Sequence, residues 1–250
     1  DVDCTPVSNH PSGGSFGAAC VGENFGAMLA ALPAVVDAES SLLGHWYINP
    51  PRFRLGPGWP TDPEFAYEHL TADQKRYSII GGIGGGQHFC PDLEIGFRLG
   101  WRGLLEMIRG YAADPPETAD PGFYEGHEAT VLGIMSLIET HVAAARDAAS
   151  ATDDDGAAYS LRQAADMNER LLEHPPQTFA EACQWITWVA IVTRMFNGAG
   201  GIGQLDELLQ PFYDRDIASG ECTRDDAIFS LICMFLIDTQ YYQIGGPAPD

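Results

Sequence analysis

Between Glu173 and Asp216 the chain reads EHPPQTFAEACQWITWVAIVTRMFNGAGGIGQLDELLQPFYDRD, and no other stretch constrains the fold as tightly. The two prolines at 175 and 176 stop whatever helix precedes them. Thr178 and Glu181 then form a T-x-x-E capping box, in which each side chain satisfies a backbone N–H of the other. A helix is therefore predicted from Phe179 to Phe196, apolar over most of its length. Trp185, Trp188, Met195 and Phe196 recur near helical spacing and are read as core. A glycine-rich break follows, and Gln204-Leu205-Asp206 opens the next helix.

The break contains Gly198-Ala-Gly200-Gly-Ile-Gly203, which satisfies the G-x-G-x-x-G pattern of dinucleotide sites, with Glu221 roughly 20 residues on. That site requires a strand, a tight turn and a helix N-terminus facing the pyrophosphate. The run before it is too long for a strand and opens with a capping box, so it is helix. A dinucleotide-binding oxidoreductase stays the weaker alternative. The second glycine cluster, Gly81 to Gly86, does not fit the pattern.

The chain has 250 residues, 45% of them hydrophobic, enough for a sizeable core. Its net charge is −22, with 13 basic residues, of which Lys75 is the one lysine. A surface so acidic disfavours nucleic acid and anionic membrane, which require Lys and Arg to neutralise phosphate. No apolar run approaches the ~20 residues that span a bilayer. Cys4, Cys20, Cys90, Cys183, Cys222 and Cys233 lack C-x-x-C spacing, and the natural reading is free thiols in a reducing cytoplasm. His127 and His141 carry no metal-ligand spacing, and Asp153 to Gly156 is a solvated hinge and not a calcium loop. No metal site is expected.

Along the chain, residues 1–24 read as a flexible arm and 25–250 as one domain. A short helix is expected at Gly26–Leu32, stopped by Pro33, then an extended piece at Val35–Asp37. Residues 49–63 are proline-rich loop, and 64–73 a short helix. A further helix is expected to open at Pro91, with Asp92 and Glu94 at its positive end. Helices follow at Phe123–Ala149, Tyr159–Leu172, Leu205–Ser219 and Thr223–Asp238, and an extended segment at Tyr241–Ile244.

Several of these segments, in this order, resemble the glycyl radical enzymes of the pyruvate formate-lyase type. Pro175, Thr178, Phe179, Glu181, Ala182 and Gln184 match the family's P-x-R-T-F-x-E-A-x-Q, with Gln177 where the family has Arg. Asn197, Gly198 and Asp206 match the E-S-N-G-x-S…G-R-x-D that follows. AVVDAESSLLGHW is similar to P-V-x-I-D-x-D-S-L-L-V-G. His88, Pro91, Asp92, Glu94, Gly100, Gly103 and Leu104 fit G-H-x-x-P-D-Y-E-K-V-L-x-x-G-L-x-G-L, with Leu93 in place of Tyr. Gln240 to Asp250 resembles an early barrel strand.

The resemblance implies a mainly α architecture: the N-terminal helical part of a pyruvate formate-lyase-type α/β barrel, truncated. It implies a radical lyase or dehydratase that cleaves a C–O, C–N or C–C bond of a small polar substrate. The radical would be installed on a glycine by an activating enzyme using S-adenosylmethionine and an iron–sulfur cluster, with no cofactor bound by the chain itself. A homodimer is also implied. The family's G-C-x-E loop, which carries the thiyl cysteine, and its R-V-x-G-[YF] loop, which carries the radical glycine, do not occur between residues 1 and 250. No catalytic residue is thus expected within this stretch. Substrate contact is expected from His88, Asn197 and Gly198, with Asp92, Gln184 and Asp206 as structural members of the motifs. The competing non-enzymatic reading is an acidic helical domain that binds a basic partner.

Overall fold

In the computed structural model the capping box closes in both directions. The Glu181 N–H donates to Thr178 Oγ1 at 3.2 Å, and the Thr178 N–H donates to the Glu181 carboxylate at 2.9 Å. The structure describes residues 4–10, 15–47, 72–73, 76–77, 90–197 and 201–245. Their helices of 14 or more residues are α1 (Ala18–Ala31), α2 (Leu93–Ala113), α3 (Pro121–Ala151), α4 (Asp155–Glu173), α5 (Phe179–Asn197), α6 (Leu205–Ser219) and α7 (Arg224–Gly245). No strand occurs among the described residues. The loop expected at 49–63 and nearly all of the short helix at 64–73 lie outside them.

Acidic and hydroxyl side chains begin most of these helices by accepting first-turn N–H groups that would otherwise be orphaned. Asp120 accepts from Gly122 at 2.9 Å with Pro121 in the first turn, and Asp154 accepts from Gly156 at 2.8 Å and Ala157 at 3.1 Å. At α7, Thr223 and Asp226 repeat the reciprocal box, with bonds of 2.9 and 3.2 Å. At α2 the cap is Asp92, accepting from Glu94 at 3.0 Å, so Pro91 lies one residue outside the helix and not at its start.

The centre of the fold is α5. Ala182, Cys183, Gln184, Trp185, Ile186, Thr187 and Trp188 are consecutive and all buried. A run of seven faces every direction around a helix axis, so neighbours must enclose it on all sides. Helix α4 lies on one side, α2 on another, and α6 and α7 close the rest. The Trp101 and Trp185 rings stack at 3.9 Å between α2 and α5. Each such fully buried side chain contributes about 1.5–3 kcal/mol from apolar burial. Phe196 departs from the expectation. It is largely exposed, and only an edge of its ring meets Phe25 at 5.1 Å.

Helix α1 begins at Ala18, eight residues before the expected Gly26, so seven residues of the segment read as an arm are helical. Glycine lowers intrinsic helix propensity by about 1 kcal/mol each, which makes Gly22 and Gly26 look like poor helix positions. Here packing overrides propensity. A Cβ at Gly22 would overlap the Gly126 backbone, one at Gly26 the Ala129 carbonyl, and one at Gly133 the Gly26 backbone. The axes of α1 and α3 approach so closely that backbone touches backbone. The strand expected at Tyr241–Ile244 is likewise corrected, because α7 continues to Gly245. A strand needs a neighbour to pair its N–H and C=O groups, whereas a helix satisfies them internally.

Candidate functional site

The first element of the site is the anchored start of α5. Arg170, from α4, donates through Nε and Nη2 to the Glu181 carboxylate, and also to the Pro175 carbonyl at 3.1 Å. Glu181 further accepts the Gln177 N–H at 2.7 Å. Burial works to raise the Glu181 pKa, yet the Arg170 bonds and the two backbone N–H groups outweigh it and hold the carboxyl below its ordinary 4.5. Asp216, buried near the end of α6, accepts the Phe179 N–H at 2.6 Å. Gln177 stands where the family motif has Arg, and the guanidinium on Glu181 comes from α4. The sequence carried a signal for this in the lone Arg170 just before the helix-stopping prolines.

The second element is a strap, residues 33–47, lying on α3 and α5. Gln184 holds it from the core, donating to the Leu43 carbonyl at 2.8 Å and accepting the Leu43 N–H at 2.7 Å. Gln184 also accepts from Asn168 at 3.1 Å, and Asn168 accepts the Trp188 indole N–H at 2.7 Å. Every polar atom of this chain of amides has a partner, which is what makes a buried network stabilising. Gln184, expected as a structural member of its motif, is buried within this network. Further along, the His141 Nδ1 lies 2.8 Å from the Leu137 carbonyl, and its Nε2 lies 3.2 Å from the Tyr47 hydroxyl. Tyr47 in turn donates to the Pro33 carbonyl at 2.7 Å.

Burial lowers the pKa of both His141 and His45 below the ordinary imidazole value of 6.5. The unfolded chain therefore binds more protons as pH falls below 6.5, so stability is complete above that pH and declines beneath it. Denaturant unfolding between pH 7.5 and 5 should show this acid limb, with His141 contributing a slope of up to about 1.4 kcal/mol per pH unit. His141→Phe should flatten the limb. An unchanged slope in that variant would remove His141 as its source.

The third element is the break after α5. Arg194, buried in the last turns of the helix, pairs with Asp238 of α7, and its guanidinium sits 5.9 Å from the Trp46 ring centre. The helix ends at Asn197. Beyond it, Gly201 meets the segment that precedes α2: a Cβ at Gly201 would stand 2.8 Å from Cys90 Sγ, and one at Gly203 would stand 3.8 Å from Cys90 Cβ. Cys90 is two residues past His88, and Gly201 three past Gly198. Two segments far apart in sequence, singled out separately, thus meet at one end of α5. His88, Gly198 and the Asn197 side chain lie outside the described residues. Asp206 is exposed in the first turn of α6, where a carboxylate favours the positive helix end, and Gln204 is the capping residue. Asp92 caps α2 immediately beside Cys90.

Among the described residues no group of three His, Cys, Asp or Glu side chains is placed to hold a metal ion. Nor is any helix among them long and apolar enough to cross a membrane. The buried polar side chains Asn168, His141, Arg194 and Asp216 escaped the sequence reading. Each is a lone polar residue within an otherwise regular helical pattern, and nothing local tells which partner it finds.

Residues 68–245 match the family described as pyruvate formate lyase-like. Isethionate sulfite-lyase of Nitratidesulfovibrio vulgaris is 29% identical over 159 residues, covering 61% of this chain and 19% of that protein. Trans-4-hydroxy-L-proline dehydratase of Clostridioides difficile is 30% identical over 95 residues, covering 37% of this chain and 12% of that protein. Among solved structures, a glycyl radical enzyme from Archaeoglobus fulgidus superposes with a TM-score of 0.72 at 18% identity, over 91% of this chain and 35% of that one. Hydroxyproline dehydratase from Clostridioides difficile gives 0.69 at 16% identity, over 93% and 36%. The chain therefore spans about a fifth of the first of these curated relatives and about a third of the solved neighbours.

Proposed function

Because the chain belongs to the pyruvate formate lyase-like family, we propose that it supplies the helical frame and one wall of the substrate pocket of a glycyl radical lyase or dehydratase. The observation that supports this reading is the meeting of Cys90 with Gly201 and Gly203, which joins the start of α2 to the segment that follows α5. His88 is the residue that holds or protonates a leaving group on a small polar substrate. Asn197 and Gly198 line the mouth of the pocket. The family's serine in this loop is replaced by glycine at 200 or 201. At 201 a side chain would strike Cys90, so hydrogen bonding from that position passes to neighbouring groups.

The bond broken is C–O, C–N or C–C, and the isethionate sulfite-lyase match adds C–S to the set. Neither the G-C-x-E pattern of the thiyl cysteine nor the R-V-x-G-[YF] pattern of the radical glycine occurs between residues 1 and 250. The partners that follow are a small-molecule substrate, an activating enzyme using S-adenosylmethionine and an iron–sulfur cluster, and a second copy of the enzyme, in the cytoplasm.

The test is anaerobic activation of the complete gene product with such an activating enzyme, followed by electron paramagnetic resonance and turnover of hydroxylated, aminated and sulfonated small substrates. A glycyl radical signal is expected, and His88→Ala should lower turnover by about 10²–10⁴ at unchanged radical content. Absence of any radical would sink the reading. Full turnover by the His88 variant would remove His88 from the pocket.

A further inference from the structure

His141 has more polar neighbours than one protonation state can satisfy. Its ring is wholly buried on α3, beneath the strap at residues 33–47 and 5.1 Å from the Trp188 ring of α5. The Leu137 carbonyl lies 2.8 Å from Nδ1, while the Val35 N–H and the Tyr47 hydroxyl both reach Nε2, at 3.5 and 3.2 Å. The same hydroxyl lies 2.7 Å from the Pro33 carbonyl. A carbonyl only accepts and a backbone N–H only donates. Leu137 therefore calls for the proton of the neutral ring on Nδ1, which leaves a lone pair on Nε2 for Val35. The one Tyr47 proton goes to Pro33, the shorter contact. Burial pushes the Tyr47 phenol above its ordinary value of 10, so that proton stays in place. In the imidazolium both nitrogens donate. Nε2 then turns from Val35, near the start of the strap, to the Tyr47 oxygen at its end, and the Val35 N–H loses its acceptor.

The charge so formed has no counterpart nearby. The titratable groups acting on the ring are Tyr47 and His45, both from the strap; α5 presents the Trp188 ring, and no carboxylate acts on it among the described residues. A buried imidazolium without a countercharge is relieved by access to water. Pro33 and Val35, which lie over it, are already exposed. The strap is held by its Val35, Leu43 and Trp46 N–H groups, which donate to His141, Gln184 and Gln240 on α3, α5 and α7. Of those three acceptors His141 alone titrates. We propose that His141 is a proton-operated latch on the strap, closed while its ring is neutral and opened when the ring gains a proton. Opening carries Trp46 away from the Arg194 guanidinium, 5.9 Å from its ring, and so unbraces the last turns of α5. The latch does not depend on the enzymatic reading.

The experiment is hydrogen exchange of the complete protein between pH 7.5 and 5.5, corrected for intrinsic rates and read by mass spectrometry on peptides within 33–47. His141 titrates at about 6.5 when the strap is open and lower when it is closed. Strap protection should therefore fall about fivefold or more across this range. It should also lie well below that of the α3 core at every pH, as a local opening requires. His141→Gln, which keeps an acceptor but does not titrate, should make strap protection independent of pH, whereas His45→Gln should keep the fall. Constant protection in the natural protein, an equal fall in His141→Gln, or a strap that exchanges only with the α3 core would overturn the proposal. A second measurement needs no substitution. Nitrogen-15 resonance of the labelled histidines should place the His141 proton on Nδ1 at pH 7.5, and a proton on Nε2 at that pH would equally overturn the latch.

Discussion

Gly126→Ala is expected to cost about 2–3 kcal/mol of unfolding free energy, the range for overpacking a site that cannot relax. The added methyl would enter the space of the Ala18 carbonyl. That obstacle is backbone at the first turn of α1, and it can yield only if the two helices separate. Separation would uncover Phe25, Met28 and Leu29, all buried where α1 lies on α3. Gly110→Ala is the matched comparison. It makes the same chemical change in α2, where a Cβ would meet nothing within 4 Å. There the gain in helix propensity acts alone, and the variant should be more stable by about 0.5–1 kcal/mol. Urea unfolding monitored by far-ultraviolet circular dichroism reads both. Equal effects of the two substitutions would mean that the close crossing of α1 and α3 does not exist.

The second large effect lies at the start of α5. Arg170→Leu should lose about 3 kcal/mol at pH 7, near the lower end for breaking a buried ion pair, because Arg170 itself keeps some contact with water. What remains is a carboxylate held by backbone N–H groups with no countercharge. The pH dependence should change sign with it. In the natural protein the Glu181 pKa is lowered, so its contribution is present above 4.5 and is lost as pH falls through the folded value. Without Arg170, burial becomes the dominant influence and raises that pKa. Protonation then relieves the variant, and its deficit should shrink between pH 7 and pH 4. A deficit below about 1 kcal/mol at pH 7, typical of surface pairs, would show that Arg170 is not a structural partner of Glu181.

These two sites differ in how far they could be read in advance. The Thr178–Glu181 box is local, since both partners fall within one helical turn, and four residues sufficed to place the start of α5. The helix at 205–219 was placed by its apolar period, and 123–149 falls within Pro121–Ala151, whereas α4 begins at Asp155, four residues before the expected Tyr159 and inside the stretch read as a hinge. Cys183, Trp185 and Trp188 are core as expected, because an uninterrupted apolar run has few other places to go. The close crossing of α1 and α3 was not legible. Gly22, Gly26, Gly126 and Gly133 are individually poor helix residues, and only their meeting across two helices turns that cost into contact. Strand against helix at 241–244 is of the same kind, since a strand is decided by whether a neighbour is present to pair with it.

The sequence by itself determined the greater part of each long helix, where α5, α6 and α7 begin, and to which family of enzymes their order belongs. Those properties depend on the period of the apolar residues and on side chains within a turn of each other. Only the tertiary structure decided that Arg170 serves Glu181, that Gln184 and Asn168 pin the strap at Leu43, and that Cys90 lies against Gly201. Each joins groups from different elements, and a buried donor must find an acceptor somewhere without its own sequence stating where. The approach of Cys90 to Gly201 belongs to this second class, because packing around α5 is what carries the two segments to the same place.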